Sequence, residues 1–566
     1  MVNLKWMKRN PELSSLKQKM SILFAYFEGD KKISRKYKIK GMRKAAKMIF
    51  EFLDSKIRII ADYDCDGVTS ATGLELLLNG LRAVDYEFYF PGRRTDGYGA
   101  SPAIIRKFLP PLKKGEKGLL ITVDNGITAN EAILLAKELG WTVLVLDHHQ
   151  PPTDEEGNII LPDADLIIDP HAGTESDFID YCGAGLVYKL AQEILPDNEM
   201  NESLLKKINS TAMLGTIADS VKFIEESADG TYSYDNYLIV KEGLENAMQN
   251  DGRTVGLYCL LRAINKTDLL TSKDVGFSIA PILNNRLEDF GARDCYTLLS
   301  AEKDYNACDA LAEKLKASNQ DRKDRSNIAY PLIQKRIEEL GLADDFPIIV
   351  DMLSGDVHPG IVGALAGKVA EAYQTMAIVL VPDEKSGNLL TGSARAPEGC
   401  DIKSSLDLCQ DFLVKYGGHK AAAGVTLEPA SLEEFRDLMK LVSGDKPDTL
   451  NYRYYDFELD YDNIQAELKE VKALAPYGMG HQAPIYKIRF KSIVKGGESY
   501  KLMGPNKNMI KFFGKNDICA VNFSGAGYEK FLELGKPNEF TLYGTLEENY
   551  FNSKTTIQID FIDMEL

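Results

Sequence analysis

VLVLDHHQPP, residues 143–152, holds two of the six histidines in the chain, side by side behind an aspartate. The aliphatic run at 143–146 is typical of a buried strand in a parallel sheet, and a Pro-Pro pair ends it. Asp147, His148 and His149 therefore follow the carboxyl end of a strand, the edge at which open α/β sheets bind ligands. The alternative is a loop that contains two histidines by chance, so the question is whether other strand ends supply partners.

Acidic residues follow three further elements of the sequence. Asp62, Asp64 and Asp66 come after the strand-like run IRII, Asp124 after LLITV, and Asp219 after the helix-like stretch MLGTIA. Alternate residues of an extended segment point the same way, so we expect the first three carboxylates to share one face. Crowded carboxylates repel one another unless protons or cations neutralise them. Four such clusters at equivalent topological positions predict a metal site.

The residues alone leave other interpretations of the first acidic cluster open. Thr69 and Ser70 are predicted caps of the next helix, and the aspartates could form an N-cap cluster or a calcium-type loop. The ligand spacing of an EF-hand is absent, which disfavours calcium. Carboxylate and imidazole ligands suit Mn²⁺ well and Mg²⁺ acceptably, and no CxxC pair supports a zinc site. We therefore predict a site for two Mn²⁺ or Mg²⁺ ions that hydrolyses a phosphate ester.

The remaining sequence predicts two α/β lobes and a β-rich tail. Strand-like runs alternate with helical spacing in the first half, which implies a parallel sheet with helices on both faces. Residues 303–340 are highly charged and predict a long exposed helix or helix pair, kinked or broken at Pro331. A second α/β lobe follows, in which SSLDLCQDFLVKY (404–416) is predicted as a helix and GGHKAAAG (417–424) as a glycine turn. Closely spaced short strands predict a small barrel over the last 110 residues or so.

Composition limits the class of protein. The chain has 566 residues and a net charge of -17, yet residues 1–60 hold 16 Lys and Arg against 5 Asp and Glu. Such a basic head could contact phosphates, although a solvated helix face explains it equally well. No stretch is long and apolar enough for a membrane span, and the N-terminus lacks the apolar core of a signal peptide. Eight scattered cysteines fit reduced thiols, so we expect a cytoplasmic protein without a membrane partner.

Four motifs carry a family resemblance. DYDCDG, VDNGI, LDHHQP and GTIAD, in this order, resemble the metal-site motifs of the DHH phosphoesterase superfamily. YFPGRRTDGYG (89–99), YCGAGLVYKL (181–190), SGDVHPGIVGALAGKV (354–369), GSARA (392–396) and LAPYGMGHQAP (474–484) extend it to the RecJ single-strand-specific exonucleases. The matches run from about residue 56 to the C-terminus.

The resemblance implies a fold with five parts. These are a basic N-terminal segment (1–50), which itself lies outside the resemblance, a parallel-sheet DHH domain (51–265), a connecting helical region (266–342), a DHH-associated α/β domain (343–445) and an all-β OB-like barrel (446–566). Barrels that bind single strands combine a basic track with aromatic residues that stack on nucleobases, although we expect most strand aromatics to belong to the core. The candidates are Tyr486, Phe490, Phe512, Phe513, Tyr543, Tyr550 and Phe551.

The resemblance also implies roles for site residues. The implied metal ligands are Asp64, Asp66, Asp124, His148 and Asp219. His149 would face the scissile phosphate as a ligand or proton donor, with Asp62 and Asp147 orienting neighbouring groups. The implied substrate-binding residues are Arg286, His358, Ser393, Arg395, Gly417, Gly418 and His419.

Two departures from the family pattern affect substrate contacts only. APILNNRLEDFG keeps Asn284 and Arg286 but is two residues shorter than the usual family stretch, which puts the placement of Arg286 in doubt. Val357 stands where the family commonly has an aromatic residue, so a stacking contact is absent.

The implied activity is 5′-to-3′ hydrolysis of single-stranded DNA to mononucleotides in DNA repair and recombination. Single-strand-binding protein and a helicase are the implied partners. One alternative is a DHH phosphodiesterase of short oligonucleotides or cyclic dinucleotides, which would lack the β-rich tail. The other is an inactive scaffold at the replication machinery, which the intact metal motifs disfavour.

Overall fold

The chain folds into two compact units in its computed structural model. The first comprises Ile22–Asn319 and Leu474–Ala483, and the second comprises Met1–Ser21, Gln320–Ala473 and Pro484–Leu566. The structure describes residues 5–13, 15–16, 37–92, 95–154, 156–196, 198–226, 232–284, 291–383, 386–504, 507–551 and 554–566.

A five-stranded parallel sheet forms the centre of the first unit, as the strand-helix alternation predicts. Its strands, in spatial order, are Asp85–Tyr89, Lys56–Ala61, Gly118–Val123, Thr142–Leu146 and Leu166–Ile168. On one face Leu120, Val143 and Val145 pack against Ile105 and Ile133 of two flanking helices. Continuous aliphatic runs suit these strands because both faces of the sheet are covered.

Helices account for most of the remaining first unit. They are Met42–Phe52, Cys65–Gly80, Pro102–Phe108, Asn130–Glu138, Gly183–Ile194, Glu199–Ala218, Asp235–Ala247, Val255–Ala263, Ser272–Asp274, the π-helix Val275–Ile279, Ala280–Leu283 and Gly291–Leu299. Two short strands, Glu225–Glu226 and Tyr232–Ser233, form a hairpin.

The predicted caps of helix Cys65–Gly80 are wrong. Asp64 is the N-cap, and its Oδ1 accepts the backbone N–H groups of Asp66 and Gly67 at 3.0 and 3.1 Å. Thr69 lies inside the helix, where its hydroxyl donates to the carbonyl of Cys65 at 2.8 Å. An Asp side chain at this position satisfies N–H groups that the first helical turn leaves free, so the helix starts earlier than predicted.

The three aspartates of DYDCDG consequently do not lie on one extended segment, contrary to the prediction. Asp62 follows the strand, Asp64 is the N-cap and Asp66 lies in the first helical turn. A Cβ on Gly67 would lie 2.3 Å from the carbonyl oxygen of Asp62, so only glycine fits this sharp strand-to-helix turn.

The second unit contains a mixed five-stranded sheet. Its strands, in spatial order, are Lys415–His419, Ala422–Leu427, Leu390–Arg395, Ala377–Pro382 and Ile348–Asp351. The flanking helices are Val362–Tyr373, Ile402–Leu408 and Leu432–Ser443, with 3₁₀ turns at Pro359–Ile361, Gln410–Phe412, Pro429–Ser431 and Asp448–Asn451. The glycine-turn prediction is wrong, because Gly417 and Gly418 lie within a strand and the turn falls at 420–421. The predicted helix over 404–416 is also too long, since its last two residues belong to the same strand.

The connecting segment forms one helix, Tyr305–Glu339. Pro331 lies inside it without ending it, so a break at this residue is wrong. Ala329, Ile333 and Ile337 are buried on either side of the proline, and their packing offsets the hydrogen bond that proline cannot donate.

The C-terminal part of the second unit is a seven-stranded sheet, which confirms the strand-rich tail. In spatial order its strands are Phe457–Leu459, Tyr486–Lys491, Glu539–Phe551, Lys554–Glu565, Ile518–Asn522, Met509–Phe513 and Tyr500–Met503. The 3₁₀ turn Tyr461–Asn463 and helices Ile464–Leu474 and Gly525–Glu533 accompany it. A separate strand near the N-terminus, Lys5–Lys8, pairs in parallel with Tyr452–Tyr455.

Most candidate stacking aromatics of this tail belong to its core. Tyr486, Phe490, Phe512 and Tyr543 are at most 1% exposed, so they pack the sheet rather than present a surface to bases. Phe513 is half-buried, and the side chains of Tyr550 and Phe551 lie outside the described residues.

All eight cysteines are free thiols, in agreement with the prediction. Across the described residues, the helices are too short or too polar to cross a membrane.

Candidate metal centre

Three neighbouring strands of the parallel sheet end at the same level. Ala61, Val123 and Leu146 are aligned across the sheet in register. The residue after each is an aspartate predicted for the site: Asp62, Asp124 and Asp147. A fourth carboxylate, Asp219, arrives from helix Glu199–Ala218, where it is the C-cap. The topology therefore brings together, at one edge of the sheet, residues that are up to 157 positions apart in the sequence.

The carboxylates and imidazoles form three overlapping groups, in each of which the ligand atoms lie within 4.8 Å of one another. The groups are Asp124, His148 and His149; Asp66, His148 and Asp219; and Asp62, Asp64 and Asp124. Asp124 and His148 each belong to two groups, so they lie at the middle of the cluster. All the predicted ligands are brought together.

His148 links the carboxylates of three different elements. Its Nε2 lies 3.1 Å from Oδ1 of Asp124, 3.6 Å from Oδ2 of Asp219 and 3.8 Å from Oδ2 of Asp66. One ring nitrogen thus faces three acidic oxygens, which is the donor arrangement that a divalent cation would share.

Asp66 is held by backbone donors that the sequence motifs did not identify. Its Oδ2 accepts the N–H of Gly183 at 2.6 Å, and its Oδ1 accepts the N–H of Ala184 at 3.0 Å. Both donors belong to the first turn of helix Gly183–Ile194, where N–H groups are free and the helix dipole favours an anion.

Two glycines make room for this arrangement and were also missed. A Cβ on Gly183 would lie 2.8 Å from Cβ of Asp124, and one on Gly215 would lie 2.4 Å from Oδ1 of Asp66. A glycine inside a helix costs stability, so each position signals a close approach. That signal is present in CGAGL and MLGTIAD.

Asp147 orients the two histidines and is not itself in a ligand group. Its Oδ2 accepts the N–H of Ile127 at 2.9 Å, and its Oδ1 lies 2.7 Å from Nδ1 of His149. The other ring nitrogen of His149, Nε2, lies 3.1 Å from the hydroxyl of Tyr98, a further neighbour that the motifs missed. A carboxylate behind a histidine fixes its tautomer and ring orientation.

The pKa values of three carboxyl groups in the cluster are raised, whereas that of Asp147 is lowered. Burial and then the charge of Asp64 raise the pKa of Asp66 to about 6, and burial followed by the Asp66 charge raises the pKa values of Asp124 and Asp219. Burial also raises the pKa of Asp147, but the hydrogen bond from His149, the charges of His149 and His148 and the N–H of Ile127 together outweigh burial and hold that pKa below its usual value.

The opposite balance applies to His149. Its burial lowers the pKa, yet the hydrogen bond to Asp147 and the negative charges of Asp147, Asp219 and Asp62 together outweigh burial and raise the pKa to about 9.

The donor set fits a divalent cation. Asp66 and Asp124 are at most 2% exposed and crowd together as carboxylates, which is unfavourable unless positive charge compensates them. A donor set of carboxylate oxygens and imidazole nitrogen suits Mn²⁺. Mg²⁺ also fits, although it prefers oxygen donors to nitrogen. The cluster thus has the chemistry of a hydrolytic metal centre.

Four predicted substrate-binding residues lie on one face of the second unit's mixed sheet. Arg395 is aligned with His419, and Ser393 with Gly417, through the strand between them. Directly opposed residues share a face, and Gly417 and His419 are exposed there. Nη1 of Arg395 donates to Oγ of Ser393 at 2.8 Å, which ties the guanidinium to the neighbouring side chain of the same strand.

The two remaining residues of this unit have structural roles as well. Gly418 has φ +143°, and a Cβ there would lie 2.3 Å from the carbonyl oxygen of Ala422, so the strand requires glycine. Nδ1 of His358 accepts the N–H of Gly360 at 3.0 Å and caps the turn before helix Val362–Tyr373.

The prediction for Arg286 lies outside the described residues. Asn284, just before it, is described, and its Oδ1 accepts the N–H of Cys65 at 2.7 Å. Asn284 is thereby anchored to the helix that carries Asp66.

Comparison with known proteins identifies three domains. The model of the DHH family, N-terminal domain, matches residues 56–216, that of the DHHA1 domain residues 345–443, and that of the RecJ OB domain residues 455–563. The single-stranded-DNA-specific exonuclease RecJ of Bacillus subtilis is 30% identical over 535 residues, covering 92% of this chain and 63% of that protein. The RecJ of Haemophilus influenzae is 27% identical over 493 residues, covering 83% and 80%. The chain thus spans less than two thirds of the Bacillus subtilis protein.

Solved structures of RecJ proteins resemble this chain as well. A crystal structure of exonuclease RecJ bound to manganese has 26% identity and a TM-score of 0.56, covering 73% of this chain and 96% of that one. The crystal structure of RecJ in complex with Mn²⁺ from Thermus thermophilus shares the fold, with a TM-score of 0.72, 24% identity and coverage of 93% and 72%.

Proposed function

Because this chain belongs to the RecJ family of DHH phosphoesterases, we propose that it is a metal-dependent exonuclease of single-stranded DNA. It would hydrolyse the strand from its 5′ end to mononucleotides. The observation that carries the proposal is the convergence of Asp62, Asp124 and Asp147 from three strand ends with Asp66 and Asp219 from two helices. The relatives that match most of this chain are named single-stranded-DNA-specific exonucleases.

Two Mn²⁺ or Mg²⁺ ions would occupy the centre. Asp64, Asp66, Asp124, His148 and Asp219 would hold them. When bound, the ions would activate water and neutralise charge on the phosphate. Both Mn²⁺ and Mg²⁺ are found in RecJ crystal structures.

His149 is the proposed proton donor to the leaving oxygen. Its hydrogen bond to Asp147 favours the protonated imidazole, and that bond leaves Nε2 to face the Tyr98 hydroxyl and a substrate. A positioned acid typically contributes about 10²–10⁴ to the rate. Asp62, whose carboxylate has an oxygen within 4.8 Å of oxygens of Asp64 and Asp124, is proposed to orient a neighbouring ligand.

The sheet face that carries Ser393, Arg395, Gly417 and His419 is the proposed contact for the DNA backbone. Arg395 can donate two hydrogen bonds to one phosphate, and Ser393 and His419 add donors on the same face. Gly417 has no neighbour within 4 Å of a Cβ position, so a phosphate could approach the strand closely. We assign Arg286, His358 and Gly418 to the same function by resemblance.

The partners and location follow from the substrate. An enzyme restricted to single strands requires DNA that a helicase has opened and that single-strand-binding protein covers. We therefore propose both as partners, in the cytoplasm. Stimulation of hydrolysis by each purified partner on a tailed duplex would test the assignment.

Hydrolysis of end-labelled oligonucleotides with Mn²⁺ tests the activity. Wild type should release labelled mononucleotide at once from a 5′-labelled single strand, release a 3′ label late and leave blunt duplex intact. Asp124→Ala should abolish all cleavage, while Glu138→Ala, an exposed position at the end of helix Asn130–Glu138, should leave it unchanged.

Three other outcomes would contradict the proposal. Survival of long strands with cleavage of dinucleotides would indicate a small-substrate phosphodiesterase. Binding of the strand without any cleavage would indicate a scaffold. Early release of the 3′ label would reverse the polarity.

A further inference from the structure

A buried charged network lies directly behind the N-terminus of helix Gly183–Ile194. Oδ2 of Asp235 accepts the hydroxyl of Tyr181 and lies 2.9 Å from Nζ of Lys189. Asp235 and Tyr181 are 0% exposed and Lys189 is 6% exposed. A buried ion pair is costly to form, and one recognised reason for retaining it is that it specifies a geometry.

Asn236 extends the same network through backbone contacts. Its Nδ2 donates to the carbonyl of Asp180 at 2.6 Å and to the carbonyl of Lys222 at 2.8 Å. The first two residues of helix Asp235–Ala247 therefore bind residues 180, 181 and 189 through hydrogen bonds and an ion pair. These positions lie on both sides of the helix start at Gly183.

That helix start is the element that holds Asp66. Gly183 and Ala184 donate their N–H groups to the two carboxylate oxygens of Asp66 at 2.6 and 3.0 Å. The carboxylate sits 3.8 Å from the His148 ring, so a small rotation of the helix would misdirect an oxygen of the metal centre.

We propose that Tyr181, Lys189, Asp235 and Asn236 are positioning residues that set the metal affinity of the centre by aiming two backbone N–H groups at Asp66. None of the four is within the ligand groups, and they act through the helix start alone. The inference rests on the metal centre of the proposed function and adds residues to it.

The test compares a mild variant with a matched control in the full chain. Tyr181→Phe removes only the hydroxyl that donates to Asp235. Tyr237→Phe removes an equally buried hydroxyl from the same helix as Asp235, one that donates to the carbonyl of Ala475 at 2.8 Å. Mn²⁺ binding is measured by the loss of the free-ion electron paramagnetic resonance signal, together with the KM for single-stranded DNA at saturating Mn²⁺.

A second variant guards against misfolding. Asp235→Asn alone would leave Lys189 buried without its partner, so the double variant Lys189→Met/Asp235→Leu replaces both charges with apolar groups, a change that folded proteins often tolerate. It also removes the acceptor of the Tyr181 hydroxyl.

The expected result is an Mn²⁺ dissociation constant about 3- to 10-fold higher in Tyr181→Phe and in the double variant, somewhat below the usual effect of a direct ligand partner. The KM for DNA should stay within about twofold of wild type, and Tyr237→Phe should bind Mn²⁺ as wild type does. Folded variants with unchanged Mn²⁺ binding would overturn the inference and leave the proposed function intact. A wild type that binds no Mn²⁺ would overturn the metal centre itself.

Discussion

Gly215 occupies a position at which helix Glu199–Ala218 has no room for a side chain. A Cβ there would lie 2.4 Å from Oδ1 of Asp66 and 2.6 Å from Oγ1 of Thr69. Carbon and oxygen in contact stay about 3.3 Å or more apart, so Gly215→Ala must move the Asp66 carboxylate by about 1 Å.

The effect on activity should exceed the effect on stability. A misplacement of about 1 Å at a reacting centre can cost about 10²-fold in rate, and we expect that loss together with a raised Mn²⁺ requirement. Overpacking costs about 1–3 kcal/mol, whereas alanine in a helix regains about 1 kcal/mol over glycine. The net loss of unfolding free energy is therefore about 0–2 kcal/mol.

Gly185→Ala is the matched control. Gly185 lies in helix Gly183–Ile194, and a Cβ there would make ordinary contacts at 3.5 Å or more. It should keep wild-type hydrolysis and gain about 0.4–1 kcal/mol of stability. Hydrolysis of a 5′-labelled strand over an Mn²⁺ titration, with urea unfolding, measures both. Wild-type rate and Mn²⁺ requirement in Gly215→Ala would refute the close-approach argument.

Three further changes test other parts of the molecule. Asp124→Asn should abolish Mn²⁺-dependent hydrolysis but raise the unfolding free energy in EDTA, because it removes a buried charge whose pKa is raised by burial and by Asp66. A lower melting temperature in EDTA would contradict this. Arg395→Lys should weaken binding of a single strand about tenfold by fluorescence anisotropy, since lysine cannot form the two-pronged contact, and should leave Mn²⁺ binding unchanged; equal affinities would remove Arg395 from the DNA contact. Asp351, which accepts hydrogen bonds from Arg336 and Arg436, has a lowered pKa because these bonds outweigh its burial. Its contribution to stability is thus complete above the unfolded pKa of about 4 and is lost as pH falls through the lower folded pKa. Asp351→Asn should cost about 3–5 kcal/mol at pH 7 and flatten the acid limb of a stability-against-pH curve, and an unchanged limb would contradict the assignment.

Local sequence determined much of the first unit. The aliphatic runs before Asp124 and Asp147 are long enough and apolar enough to specify buried parallel strands, and strand-helix alternation then places their ends at one edge. The ligands could be predicted because they follow those ends directly. The prediction failed at DYDCDG because it assumed an extended chain. The Asp64 side chain instead caps the helix that begins at the next residue.

Only the tertiary structure decided how the ligands are held. Gly183 and Asp235 lie outside the four metal-site motifs and Gly215 opens the motif GTIAD, yet each acts through a contact with an element that packs beside it. A sequence pattern records what a residue prefers along its own helix or strand, where glycine is unfavourable and a buried charge improbable. The space and the countercharge that make these residues favourable come from other elements, so they exist only once the chain has folded.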